Sequence, residues 1–278
     1  MLKVVTDSAA DLPAGVVQEL GITVVPLYVH FGQEVYRDGV DLAAGEFYQR
    51  LSTSPQFPTT SAPGPGVFAE AYEALVAQGH QVVSIHISGK LSATYQAALT
   101  ASQDMGAGKV AVVDSQNVSL GTGLLVMAAA RAAQEGHDLG QVVAGLQSAI
   151  PRAQMLFLLD TLEYLHKGGR IGRAQAFLGS LLNIKPILHI KEGEVHPLER
   201  ARSRGKAISR LCEMVAARGP AQALGVIYTT TPQEAEEVAS KLSPLVGDQG
   251  VTLAQVGSVL GVHGGPGALG VALIGAER

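Results

Sequence analysis

Short apolar runs alternate with helix-length amphipathic segments through the first half of the chain. In order they are "LKVVT", a helix from Leu12, "ITVVPLYVHF", a helix near Glu46, a helix from Val67, "QVVSIHI", a helix from Ser92, "KVAVVD" and a helix from Leu120. Strand-length runs spaced by helices predict an α/β layer with a mainly parallel sheet. Asp11, followed by Leu12 and Pro13, reads as a helix start, with an N-cap carboxylate and a proline in the first turn. "VHFGQEVYRDGVD" breaks the alternation. Gly32 and the Asp38-Gly39 pair are turn signals between extended runs, so a small hairpin excursion is expected near 24–40.

A helix over 139–152 leads to "QMLFLLD", read as the first strand of a second unit. "IKPILHI" and "EVHPL", joined by "KEGE", predict a hairpin, followed by a helix over 203–217. "AQALGVIYT", a helix over 233–245, "VTLAQV" and "ALGVALIG" complete the chain. Hairpin strands with helices in runs suggest a smaller α/β sandwich. The expected organisation is therefore α/β in two domains, 1–155 and 156–278.

Composition narrows the chemistry. Of 278 residues, 47% are hydrophobic and 16% charged, with 33 glycines and no tryptophan, as in a globular protein with an aliphatic core and many tight turns. A net charge of −4 argues against a nucleic-acid binder, which needs a basic face. Any anion site must be local. Cys212 is alone, which excludes an internal disulfide and fits a reducing compartment. "MLKVVTDSAADLP" has no signal-peptide pattern, and stretches such as "GLLVMAAA" fall short of a bilayer span. The expected location is cytoplasmic.

Several standard signatures fail in context. "GPGALG" has the spacing of a dinucleotide loop but lies too near the C-terminus for a following helix and strand. Gly89-Lys90 and Gly205-Lys206 are followed by Leu and Ala, not the Ser or Thr of a P-loop. No H-E-x-x-H and no nucleophile elbow occurs, so neither a metal nor a catalytic residue is assigned.

Two hydroxyl-rich turns carry more information. "TTSAPGPG" places Thr60 and Ser61 before the helix at Val67, and "SGKLSATYQ" places Ser88, Ser92 and Thr94 where "QVVSIHI" ends. Strand carboxyl ends and helix N-termini favour carboxylate or phosphate ligands, although a cap or turn residue alone explains either hydroxyl. Asp7 and Ser8, in "VVTDS", are rim candidates, whereas Asp114, in "VVDSQ", reads as a turn-holding carboxylate. His263, in "VHGGPG", has glycines beside it that allow close backbone approach to a ligand. Arg170 and Arg173 occupy "HKGGRIGRAQ". Arg200, Arg202 and Arg204 alternate in "LERARSRGKA", where an extended segment would make one cationic row and a solvated face is the alternative.

Seven stretches, in order across nearly the whole length, resemble the DegV family of bacterial fatty-acid-binding proteins. They are "VVTDSAADLP", "TTSAPGPG", "ISGKLSATYQAA", "VVDSQNVSLGTG", "LDTLEYLHKGGRIGRAQAFLGSLLNIKPIL", "PLERARSRGKA" and "HGGPGALGVA". The resemblance implies an N-terminal α/β domain related to part of dihydroxyacetone kinase and a C-terminal α/β sandwich. It also implies a cofactor-free, non-enzymatic carrier that buries a long-chain fatty acid such as palmitate and presents its carboxylate to a separate ATP-dependent fatty acid kinase subunit, with transient membrane contact at most. By the same resemblance the carboxylate contacts fall on Thr60, Ser92 and His263, with Ser61 and Thr94 beside them. Contacts to phosphate or to the kinase partner fall on Arg170, Arg173 and Arg202. Two turns depart from the family pattern: Thr60-Ser61-Ala62-Pro63 stands for T-S-Q-P, and Gly89 and Lys90 replace a serine and its neighbour. The competing expectation is a stand-alone small-molecule phosphotransferase, or an acyl hydrolase using Ser92 and His263.

Overall fold

The computed structural model describes residues 1–177 and 184–277; the stretch 178–183 of the "GGRIGRAQAFLGSLLN" region lies outside the described residues. The first half runs β1 (Leu2–Asp7), α1 (Ala14–Leu20), β2 (Thr23–Val25), β3 (Tyr28–Phe31), β4 (Glu34–Arg37), α2 (Ala44–Thr53), β5 (Thr59–Ser61), α3 (Pro65–Val76), β6 (Gln81–His86), α4 (Thr94–Ser102) and β7 (Val110–Asp114). Then come α5 (Leu120–Gln134), α6 (Leu139–Ala149), β8 (Ala153–Leu158), α7 (Glu163–Lys167), β9 (Lys185–Lys191), β10 (Glu194–Ala201) and α8 (Arg204–Ala216). The chain ends with β11 (Ala221–Tyr228), α9 (Pro232–Leu242), β12 (Thr252–Gln255), α10 (Ser258–Gly264) and β13 (Leu269–Gly275).

The protein is α/β, with a four-stranded sheet ordered β2-β1-β6-β7 and a six-stranded sheet ordered β10-β9-β8-β13-β11-β12. Every pairing in the first sheet is parallel, as the strand and helix alternation requires. The second is mixed, with β11 and β12 parallel and the rest antiparallel. The expected hairpin joins β9 to β10 through Glu192 and Gly193, both at positive φ (52° and 77°), the backbone that a two-residue hairpin turn demands.

The apolar run "ITVVPLYVHF" is not one strand. Pro26 interrupts it, β2 joins the parallel sheet, and β3 starts a separate three-stranded sheet ordered β4-β3-β5. The excursion is therefore larger than a hairpin, because β5, a three-residue polar strand, pairs with β3 through Val29 and Thr60. Two helix starts also differ from expectation. Asp11 is not the N-cap of α1, which Pro13 fills; it sits at φ 48° and accepts bonds from Ser119 Oγ and Gly257 N. Tertiary partners outcompeted the local cap. Likewise α4 begins at Thr94, one residue after its cap at Ala93, so Ser92 stays outside the helix.

Helix α5 joins the two sheets. Leu120, Leu124, Leu125 and Val126 share one apolar cluster with Val4, Val83 and Ile85 of the parallel sheet and with Met155, Leu188 and Ala272 of the mixed sheet. Full burial of each such side chain contributes about 1.5–3 kcal/mol, and a helix apolar on all sides can only sit between layers. Gly123 makes this approach possible: a Cβ there would stand 2.6 Å from the Ala10 carbonyl oxygen. The opposite face of the mixed sheet is covered by α8 and α9, through Leu211, Val215, Val238 and Leu242. Among the described residues, no helix is long and apolar enough to cross a membrane.

Candidate functional site

One cavity opens between the sheets, with about 1050 Å³ of empty space including its mouth. Most of its wall is apolar, including Leu27, Ile87, Met155, Phe157, Ile190 and Ile227. The polar lining residues are Thr60, Ser61, Ser92, Ser119, Arg170, Thr229 and His263. Ser119 and Thr229 are already committed, to Asp11 and to the Ala268 backbone respectively.

The other five form a mouth. Thr60, on β5, and His263, on α10, lie 203 residues apart in sequence, and their Oγ1 and Nε2 atoms are 3.1 Å apart. Among the described residues, the buried His263 Nδ1 has no hydrogen-bond partner, and it is packed against Gly168. A Cβ on Gly168 would stand 2.2 Å from that nitrogen, so only glycine leaves room for the ring. Burial holds the His263 pKa down to about 4, and the Arg170 guanidinium adds to the effect. The ring is therefore neutral at pH 7. With one hydrogen to place, Nε2–H is the better choice, because an orphan N–H costs more than an orphan lone pair. Nε2 then donates to Thr60, and the Thr60 hydroxyl hydrogen is free for a ligand.

Arg170 reaches the same mouth, donating from Nη1 to the Gly168 carbonyl at 3.0 Å and from Nε to the Leu91 carbonyl at 3.4 Å. The second contact ties it to the turn bearing Ser92. Ser92 Oγ lies 2.8 Å from Thr94 Oγ1 and accepts from Thr94 N. Thr94 is fully buried and absent from the cavity wall, so it supports Ser92 from behind. Ser61 Oγ is 2.8 Å from His30 Nε2 on the neighbouring strand.

Asp7 and Ser8 do not reach the rim. Asp7 is fully buried; it accepts from Ala9 N and Ile87 N and lies 2.8 Å from His86 Nδ1. Ser8 Oγ accepts from Leu27 N. Asp114 holds its turn through Gln116 N and Gly89 N. Gly89 thus belongs to the turn, and Lys90 faces outward, 3.6 Å from Glu194.

The arginines separate. Arg173 is 73% exposed and paired with Glu194 at 3.5 Å. Arg202 lines an outer groove with Arg200, Lys206 and Arg210 and is absent from the cavity wall, so it is not the close neighbour of His263 that the sequence suggested. The cationic row is also broken. β10 ends at Ala201, and Arg204, opening α8, turns inward to Asp160, Glu234 and the Gly267 carbonyl. Gly267 belongs to "GPGALG", which leads into the central strand β13 and not into a helix. The Ser92–His263 pair that a hydrolase would use is not made, since Ser92 bonds Thr94 and His263 bonds Thr60.

The fold that holds this cavity matches known proteins. A family model described as uncharacterised proteins of the DegV family matches residues 1–276. The chain belongs to the DegV family. A DegV domain-containing protein from Deinococcus radiodurans is 40% identical over 280 residues, covering 98% of both chains. A DegV family protein from Thermus thermophilus, described as fatty acid binding, superposes with TM-score 0.92 at 37% identity over 99% of each chain. A stearic acid-binding protein from Eubacterium ventriosum superposes with TM-score 0.86 at 29% identity, over 99% of this chain and 98% of its own. DegV membership accounts for the order of the seven sequence stretches. What sequence reasoning missed at this site was Gly168 as the seat of His263, and two carboxylates at the root of α10: Asp11, which accepts from Gly257 N, and Asp38, which accepts from Ser258 N and Oγ. The glycine of "HKGG" was the available signal for the first, but its use as a socket depends on a ring 95 positions away.

Proposed function

We propose that this chain binds a long-chain fatty acid, such as palmitate, with its tail in the apolar cavity and its carboxylate at Thr60, Ser61, Ser92 and His263. Thr94 holds Ser92 in place. The observation that carries this reading is the division of one cavity into an apolar body and a mouth of hydroxyls, a neutral imidazole and one guanidinium. That division suits an amphiphile. Each buried CH₂ contributes about 0.8 kcal/mol, so the tail supplies most of the affinity, while a buried carboxylate needs donors to offset its lost hydration. The Thr60 hydroxyl and Arg170 supply them. The fatty-acid-binding relatives support the same assignment.

The chain acts as a carrier, and chemistry falls to a separate ATP-dependent fatty acid kinase subunit in the cytoplasm, with membrane contact limited to loading. A carboxylate oxygen attacks the γ-phosphorus of ATP held by that subunit, the bond to the ADP oxygen breaks, and an acyl phosphate forms. Arg170 meets the new phosphate, and the exposed Arg173 and Arg202 meet the phosphate or the partner's acidic surface. In domain terms, 1–155 supplies Thr60 and Ser92, and 156–278 supplies Arg170 and His263.

Organic extraction and mass spectrometry of the purified protein test the carrier reading. The expected result is a co-purified long-chain fatty acid; an empty protein that alone turns over ATP or esters overturns it in favour of an enzyme. With a DegV-type kinase subunit added, Arg173→Ala with Arg202→Ala should spare binding and impair phosphotransfer. Unchanged phosphotransfer removes the arginines from that role.

A further inference from the structure

The floor of the cavity is a methionine resting in a glycine notch. Leu159, Phe157 and Met155 all line the cavity, and alternate residues of a strand stand about 6.6 Å apart along one face. Leu159 is at the end leading through α7 to Gly168 and Arg170 at the mouth. Met155 is the far end: Ala153, the next residue on that face, no longer lines the cavity. On β11 the same happens at Ile227. Thr229 stands nearer the mouth, and Gly225 beyond Ile227 is capped by Leu120 of α5, whose Cδ1 is 2.6 Å from the position of a Cβ on Gly225.

Between these strands lies β13, where Gly270 is registered with Phe157 on one side and Ile227 on the other. A Cβ on Gly270 would stand 2.5 Å from Met155 Cε, 3.0 Å from Ile227 Cγ1 and 3.1 Å from the Leu156 carbonyl oxygen. The terminal methyl of Met155 thus occupies space that any other residue at 270 would fill. Met155 is only 1% exposed and its side chain is unbranched, with several rotatable bonds that let it fit such a notch or swing out of it.

We propose that Met155, seated on Gly270, sets the depth of the cavity and so the length of acyl chain that the protein takes. The proposal rests on the fatty-acid reading above. Removing the methionine side chain lengthens the cavity, whereas filling the notch from Gly270 lifts the methyl toward the ligand and shortens it. Because the atom displaced is the far end of a flexible side chain, the strands need shift little.

The test is the binding profile over saturated fatty acids from dodecanoate to stearate, with the chains co-purified with each variant identified in parallel. Met155→Ala should move the preferred length up by about two carbons, since it removes the three outermost heavy atoms. Gly270→Ala should move it down, and Met155→Phe, which leaves the backbone untouched, should do the same. Met155→Leu, of similar volume, should keep the wild-type profile. An unchanged profile in Met155→Ala and Met155→Phe, or a shift of both in one direction, overturns the proposal while leaving fatty-acid binding standing. Failure of the wild-type chain to bind any of these acids overturns the cavity reading and the floor with it.

Discussion

Two inward-facing histidines show how differently this fold treats the same side chain. His86 closes β6 inside the parallel sheet and is fully buried, yet both ring nitrogens have partners: Asp7 Oδ2 at 2.8 Å from Nδ1 and Ser84 Oγ at 2.7 Å from Nε2. Tyr72 in turn donates to Ser84 at 2.8 Å. The order of atoms resembles a hydrolytic triad, but Ser84 and Asp7 are sealed in the core, where the chain of bonds ties β1 and β6 to α3. His263 keeps one nitrogen without a partner among the described residues and shares its other with Thr60 beside open space. A satisfied buried network fixes a fold, whereas at the cavity wall the His263–Thr60 pair leaves the Thr60 hydroxyl hydrogen for a ligand.

Breaking His86 should have the largest effect. His86→Ala leaves Asp7 and Ser84 without their shared partner inside the core, and each buried polar group left unpaired typically costs about 1–3 kcal/mol. Chemical denaturation should show that loss, with His263→Ala losing far less. Equal losses would erase the contrast. Next comes affinity: Thr60→Val keeps the shape of the mouth but removes the free hydroxyl, and should weaken fatty-acid binding about tenfold, in keeping with about 1–1.5 kcal/mol for one hydrogen bond. Isothermal titration checks it.

The pH dependence should run in opposite senses at two sites. The folded-state pKa of His263 lies near 4, below the ordinary 6.5, because burial disfavours its charged form. The unfolded chain therefore binds the proton first, and stability falls as pH drops from about 6.5 toward 4. Asp11 is raised from 3.8 to about 8, chiefly by burial, with Ser119 and Gly257 opposing the shift and the Asp38 and Asp7 carboxylates adding to it. Here the folded chain holds the proton, so stability falls as pH rises from about 4 to about 8. His263→Gln should flatten the acid limb, and Asp11→Asn the neutral-to-basic one, in denaturation midpoints measured across pH. The smallest effect belongs to Arg173→Ala, whose exposed pair with Glu194 should leave both stability and fatty-acid affinity nearly unchanged.

Most elements were legible because their signals are local. The short apolar runs at 81–86, 110–114 and 269–275, and the turn residues Gly32 and Gly193, form strands and hairpins where the pattern placed them. The misses have a common cause. β5 is too short and polar to show a period, α10 is seven residues flanked by glycines, and Asp11 abandons its local cap for partners at 119 and 257. At the mouth, Thr60, Ser61, Ser92, Arg170 and His263 do meet around one cavity, whereas Thr94, Arg173 and Arg202 stand behind or outside it.

The sequence by itself determined the alternating layers, the family and the short list of hydroxyls, arginines and one glycine-flanked histidine. Periodicity, turn chemistry and motif order all depend on near neighbours. Only the tertiary structure decided that His263 and not His86 faces the cavity, that Gly168 is the socket for its ring, and that Met155 rests on Gly270. Each depends on atoms brought together from distant positions, Thr60 and His263 being 203 residues apart. Whether a buried polar atom has a partner is a property of packing, which no local pattern encodes.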